Sequence, residues 1–263
     1  MATDFSDWKA YQYTPSAAAA AISAVLFGLA TMATIVQMVL ALSTGATGRS
    51  RRQVYTLIPF ILGGLEETIG YIGRILSHSD PNKLGPYIMQ SILLLIAPAF
   101  FAATIYMTLA RVIEKINCDH LSFIPLKWLT KIFVIGDVLS LLLQASGGGI
   151  QASNNYKLGE KLIIIGLFVQ IAFFGLFIVV MTIFQIRVSN SPTTRSMSLR
   201  NSPSRFRNWQ MIILSLFVCS LLIFLRSIVR VIEYLQGQSG TIISHEVYLY
   251  LLDALPMFLN MII

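Results

Sequence analysis

The sequence predicts an all-α polytopic membrane protein, one bundle of seven transmembrane helices covering 1–263. Three observations predict it. Of 263 residues, 56% are hydrophobic and only 12% charged, where a soluble domain carries about 25% charged residues. Mean hydropathy is +0.72. Apolar runs close to the roughly 20 residues that cross a hydrocarbon core recur along the whole chain.

The runs follow one another at 17–42, 54–76, 87–110, 128–147, 162–186, 209–235 and 247–263. The first opens on an alanine tract and carries no charge. The second holds Gly63, Gly64, Gly70 and Gly73, small residues that let another backbone approach closely. Its Pro59 removes one backbone donor and predicts a bend. The third carries Pro98, a kink site. The fourth ends at Gly147, and Gly147-Gly148-Gly149 reads as a flexible outer turn. The fifth and sixth are long and apolar. The seventh, with Pro256 as a second kink site, reaches Ile263 without a polar stop. Tyr11, Tyr13, Trp128, Trp209 and Tyr248 stand where interfacial anchors belong.

Basic residues set the expected orientation. The first, third and fifth loops hold Arg49, Arg51, Arg52, Arg111, Lys115, Lys127, Lys131, Arg187, Arg195, Arg200, Arg205 and Arg207. The opposite side holds Lys9, Lys83, Lys157 and Lys161, so the bias is twelve to four. By the positive-inside rule the N-terminus is outside and the C-terminus cytosolic. The net charge of +7 is then a topology signal and does not point to nucleic acid. Met1–Ser16, with Asp4 and Asp7 against Lys9, has the wrong charge for a cleavable leader. Cys118 and Cys219 are expected to stay unpaired, one in a cytosolic loop and one within a helix.

The fifth loop, 189–208, is rich in Ser, Pro and Arg and reads as a disordered basic cytosolic segment. Two uses compete. One is a solvated topogenic linker. The other is contact with anionic lipid or a kinase, with phosphorylation near Ser191, Ser198 or Ser202.

Five acids and three arginines lie within the apolar runs: Glu66, Glu67, Arg74, Asp137, Arg226, Arg230, Glu233 and Asp253. A lone charge facing lipid costs about 2.5–3.5 kcal/mol on insertion scales, so these side chains must turn inward and find partners. Gly63, Glu67, Gly70 and Arg74 share one face of the second helix, and Arg226, Arg230 and Glu233 make a stripe on the sixth. Counting residues along each run places the whole set in one depth band, from the midplane to the outer leaflet. Gln90, Gln144 and Gln170 add amides there. The group reads either as buried ion pairs locking the bundle or as a pocket gripping the headgroup of an amphiphile. Five acids against three arginines favour a site for a cation or a proton.

These residues carry a family resemblance. Tyr13-Thr14-Pro15-Ser16, Ile58-Pro59-Phe60 with Gly63-Gly64, Glu66 and Gly70-Tyr71 to Arg74 begin it. Ala97-Pro98 with Tyr106 and Arg111, Asp137 with Gln144, and Gly166-Leu167 with Gln170 continue it. Arg226-Ser227 with Arg230 to Tyr234, then His245-Glu246 with Tyr250 and Asp253, complete it. The sequence resembles the fungal RTA-like family of lipid-translocating exporters over nearly its whole length. The resemblance implies a receptor-like seven-helix fold and a fungal origin. It implies resistance to toxic amphiphiles, movement or signalling of sphingoid long-chain bases, and in one branch porphyrin or haem traffic. It places such proteins in the plasma membrane, with vacuolar or endoplasmic-reticulum membranes as alternatives.

The expected function is therefore export of lipid-like amphiphiles, with Glu66, Glu67, Arg74, Asp137, Gln144, Arg226, Arg230, Glu233 and Asp253 at the substrate site. Expected partners are membrane lipids or an amphiphilic small molecule. No catalytic residue, metal or cofactor is implied, and no ATP-binding motif is present. A seven-helix lipid-stress sensor is the alternative, although Leu109-Ala110-Arg111-Val112 lacks the acid that rhodopsin-type receptors place before arginine. The seventh run has no lysine to hold retinal. A zinc lipid hydrolase is disfavoured, because His78 and His245 fall on the side opposite to His120.

Overall fold

The computed structural model describes residues 16–43, 54–79, 84–152, 156–193, 196–198, 208–236 and 246–263. Arg49, Arg51, Arg52, Arg195, Arg200, Arg205, Arg207, Ser202, His245, Tyr11, Tyr13 and the lysines at 9 and 83 lie outside the described residues. The helices are α1 (Ala17–Ser43), α2 (Leu57–Ser79), α3 (Leu84–Ile116), α4 (Leu126–Ala152), α5 (Tyr156–Asn190) and α6 (Trp209–Gln236). The last helical element, α7, joins Glu246–Leu249, a π-helical turn Tyr250–Ala254, and Leu255–Ile262. All-helical packing agrees with the predicted class. By length and composition α1, α3, α5 and α6 are apolar enough to cross a membrane. The other three carry most of the intramembrane charges or, in α7, the π-helical interruption.

Neighbours in sequence pack as neighbours in space, from α1 against α2 through to α6 against α7. Contact between α7 and α1 closes the ring, and α3 also packs on α6. The core lies along α3, where Leu94, Phe101, Ile105, Tyr106, Leu109, Ile113 and Ile116 are buried. The outward faces are apolar as well. On α1, Ile22, Leu29, Met32 and Val36 are exposed while Ala20, Phe27 and Thr31 are buried. That inverted surface suits lipid, which needs no polar rim.

Local chemistry sets the helix ends. The Ser16 hydroxyl accepts the Ala19 amide at 3.4 Å and caps α1. Asn208 caps α6 by accepting the Gln210 amide at 3.0 Å. After α3, Asn117 takes a left-handed φ of 53°, and the Cys118 amide reaches back to the Ile113 carbonyl at 3.3 Å. Pro59 falls in the first turn of α2, where no intrahelical donor is needed, so the predicted bend has no cause there.

Glycine contacts bring two helix pairs close. A side chain at Gly63 would strike the Phe101 ring and the Ala97 carbonyl, and one at Gly70 would strike Leu94, so α2 lies tight on α3. Gly147 faces the Gly159 carbonyl and Ile163, and Gly166 faces Gln144 and the Ser140 carbonyl, so α4 lies tight on α5. The expected turn at Gly147-Gly148-Gly149 is therefore helix, continuous to Ala152. Packing across Gly147 offsets the weak helix propensity of the run.

Two hydrogen bonds tie the described residues of the fifth loop to the bundle. The Thr193 hydroxyl donates to the Ile116 carbonyl at 3.1 Å. Trp209 Nε1 donates to the Ser196 carbonyl at 2.9 Å, and both Ser196 and Trp209 are buried. Trp209 is thus a packing residue rather than an interfacial anchor. Residues 194–195 and 199–207 of the loop lie outside the described residues. Cys118 and Cys219 are free and buried.

Gly147→Val should overpack the α4–α5 contact and cost about 1–3 kcal/mol. Gly148→Ala meets nothing within 4 Å and should stabilise by up to about 1 kcal/mol through helix propensity. Thermal unfolding of the two purified variants checks the contrast. Equal midpoints would contradict the tight contact.

Candidate functional site

The site begins with a proline. Pro98 has no amide hydrogen, so the carbonyl four residues earlier, at Leu94, loses its intrahelical donor. In a membrane interior that carbonyl needs another partner. Arg226 Nη2 supplies it from α6. The Nε of the same guanidinium pairs with Asp253 Oδ1 on α7. Arg226 is 4% exposed and Asp253 6%.

One turn further on α6, Arg230 Nη2 meets Asp253 Oδ2 at 2.8 Å, and Arg230 Nη1 meets Glu233 Oε2 at 3.1 Å. Asp253 therefore bridges two arginines. It sits in the π-helical turn of α7, and the Leu255 amide there bonds the Tyr250 carbonyl five residues back. The kink expected at Pro256 takes the form of this π turn just before it. A π turn re-aims side chains on one helix face and recurs at functional sites.

Glu67 of α2 faces this clasp. It is 1% exposed and lies within the electrostatic reach of Arg226, Asp253 and Arg230. Its Oε1 is buried with no hydrogen-bond partner among the described residues. Tyr71, one turn on, is fully buried and its hydroxyl is likewise unpartnered among the described residues. The Tyr71 ring stacks on Phe27 of α1 and on Tyr250 of α7, at 5.6 and 6.1 Å between centroids.

A second layer covers the first. Arg74 Nη2 meets Glu246 Oε1 at 2.8 Å, and Arg74 Nε donates to the Tyr250 hydroxyl at 3.1 Å. Glu246 also accepts the Ser16 amide on both oxygens, at 2.9 and 3.1 Å. That tie joins α7 to the start of α1.

The expected residues thus divide. Glu67, Arg226, Arg230, Glu233 and Asp253 come together, and Arg74 lies above them. Glu66, next to Glu67 but turned about 100° round the helix, is only half-buried, with a buried, unpartnered Oε2. Gln144 instead donates to Gln170 at 3.1 Å between α4 and α5. Asp137 is not in the cluster. It accepts the Tyr106 hydroxyl at 2.9 Å, and Tyr106 stands roughly 18 Å beyond Leu94 at about 1.5 Å of rise per residue. The single depth band is corrected to two levels. Counting residues along separate runs fixes neither helix tilt nor rotation.

Glu246, Tyr250 and Tyr71 were not among the expected site residues. Glu246, Tyr250 and Asp253 recur at i, i+4 and i+7, the same stripe signal that flagged Arg226, Arg230 and Glu233. Glu246, named only for the family resemblance, stands outside the expected site because it begins the helix, where an acid reads as solvated.

Asp253→Ala should strand two arginines, one of them fully enclosed, and destabilise by about 3–5 kcal/mol. The fall should appear as a lower unfolding midpoint and a poor yield of monodisperse protein. A variant as stable as the parent would contradict a dry clasp.

Comparison with known proteins gives the family. The family described as "RTA1 like protein" matches residues 60–263. Among relatives from Saccharomyces cerevisiae, Protoporphyrin uptake protein 1 is 39% identical, covering 100% of this chain and 92% of the relative. Protein RTA1 is 38% identical over 97% of this chain and 83% of the relative. Sphingoid long-chain base transporter RSB1 is 31% identical over 78% of this chain and 62% of the relative. No solved structure matches. The chain is an integral membrane protein, and it belongs to the RTA1-like family.

Proposed function

We propose that this protein moves amphiphilic, lipid-like molecules across the membrane and selects those with an amine headgroup, such as sphingoid long-chain bases. The observation that carries the reading is the carboxylate of Glu67. It is enclosed at membrane depth, and among the described residues neither its Oε1 nor the hydroxyl of Tyr71, one turn on, has a hydrogen-bond partner. Arg226 and Arg230 are already committed to Asp253, Glu233 and the Leu94 carbonyl. An ammonium brings three donors and a positive charge. It satisfies Glu67, and a neighbouring hydroxyl of the same headgroup suits Tyr71. The name of one relative, a sphingoid long-chain base transporter, supports the same class.

A porphyrin substrate is the second reading, favoured by the relative named as a protoporphyrin uptake protein. Its carboxylates would have to draw Arg226 or Arg230 away from Asp253. The unpartnered group here is an acid rather than an arginine, which favours the amine.

In this reading Arg74, Glu246 and Tyr250 form the outer closure over the headgroup site, and the basic loops face the cytosol. The protein protects the cell at its plasma membrane.

Cells lacking the native transporter and expressing Glu67→Gln should lose most protection against added long-chain base, with surface expression unchanged. Glu67→Gln keeps shape and removes charge, so full protection would exclude Glu67 as the ammonium acceptor. Uptake of protoporphyrin that responds to the variant, with amine export unaffected, would favour the second reading. Protease added to intact cells should spare 189–208, and cleavage there would reverse the orientation.

A further inference from the structure

Asp137 stands apart from the clasp and has chemistry of its own. It is 3% exposed. Its Oδ2 accepts the Tyr106 hydroxyl at 2.9 Å, while its Oδ1 is buried without a hydrogen-bond partner among the described residues. No lysine or arginine there is recorded in a salt bridge with it. Around Tyr106 lie the rings of Phe133, Phe174 and Phe177, at 5.4, 6.0 and 4.5 Å between centroids. A charged carboxylate in such a shell is costly unless its second oxygen also finds a partner. An ammonium brings both a donor and the opposite charge to such an oxygen.

The position matters as much as the chemistry. Both this group and the clasp hang on α3, one at Tyr106 and the other at the Leu94 carbonyl. The two anchoring residues are separated by roughly 18 Å along the helix backbone and about a third of a turn around it. That separation exceeds half of a hydrocarbon core about 30 Å thick. A headgroup crossing the membrane from the Glu67 level meets no other buried, unpaired carboxylate on its way along α3 among the described residues.

We propose that Asp137 and Tyr106 form a second headgroup station, distinct from the Glu67 site, that takes the ammonium of an amine-headed amphiphile in transit. The ammonium donates to Asp137 Oδ1, and Tyr106 keeps Oδ2 aimed. The proposal rests on the amphiphile reading above and adds to it a two-step path around α3.

Photo-labelling of the full chain in lipid nanodiscs tests it, with stearylamine carrying a photoreactive group beside the amine. Stearyl alcohol with the same group is the neutral control. Labelled peptides are located by mass spectrometry. Stearylamine should label two regions, one around Glu67 and Tyr71 and the other around Tyr106 and Asp137. Stearyl alcohol should label the second region about tenfold less, the loss expected for one charge-assisted hydrogen bond. Asp137→Asn should lower amine labelling of the second region by about the same factor and leave the first unchanged. Asp137→Glu should restore it.

Equal labelling by amine and alcohol at Asp137, or labelling indifferent to Asp137→Asn, would overturn the proposal and make Asp137 a structural partner of Tyr106. Labelling of the Glu67 region alone would overturn the second station and leave the first reading standing. Labelling of neither would overturn both. If Asp137→Asn fails to fold, the amine-to-alcohol ratio on the unaltered chain decides.

Discussion

The guanidinium of Arg226 joins three helices at one point, and the remaining polar structure is arranged around it. Pro98 frees the Leu94 carbonyl on α3, the π turn of α7 presents Asp253, and α6 supplies the arginine between them. Each component would be costly alone: a free carbonyl, a lone acid and a lone arginine in a region without water. Together they satisfy one another. The net gain from such a buried pair is small, because desolvation offsets most of the attraction, but removing one member leaves the others unpaired. The clasp therefore specifies which helices meet more than it stabilises their meeting.

From that point outward the structure follows by proximity. Arg230 shares Asp253 and adds Glu233. Arg74 and Glu246 close the end nearest the start of α1, where Ser16 ties the first helix to the last. Glu67 is left over, an acid beside a clasp whose positive charges are already engaged. In the proposed function this remainder, rather than the pairing, carries the chemistry of binding. A fully paired cluster has nothing to offer a ligand, whereas one unsatisfied carboxylate has a definite preference.

Much of this was legible in the sequence, and the exceptions have physical causes. Hydrophobic runs located every helix, because a lipid-facing surface leaves no polar face to confuse the pattern. Helix ends were less legible. The run 87–110 became Leu84–Ile116, since Arg111, Glu114 and Lys115 prolong α3 after the apolar residues stop. Gly147–Gly149 read as a break because propensity says nothing of the Gly159 backbone packed against Gly147. The stripe of Arg226, Arg230 and Glu233 was visible from spacing, and the need for acid partners from cost. Which acid would answer was not visible. Residue counting groups Asp137 with the clasp, because its place on α4 fixes neither its depth against α3 nor its rotation. Its actual partner, Tyr106, lies in a run where an aromatic reads as core.

The most direct test of the account is a double-mutant cycle on Arg226 and Asp253, using the isosteric replacements Arg226→Met and Asp253→Leu. Unfolding midpoints of the purified single and double variants give the coupling. The clasp predicts that each single change is costly and that the double variant loses clearly less than the two singles combined, a residual loss remaining because Arg230 and the Leu94 carbonyl are left without their partners. Additive losses, with the double variant as unstable as the two singles combined, would contradict a direct pair and remove the point on which the site is built.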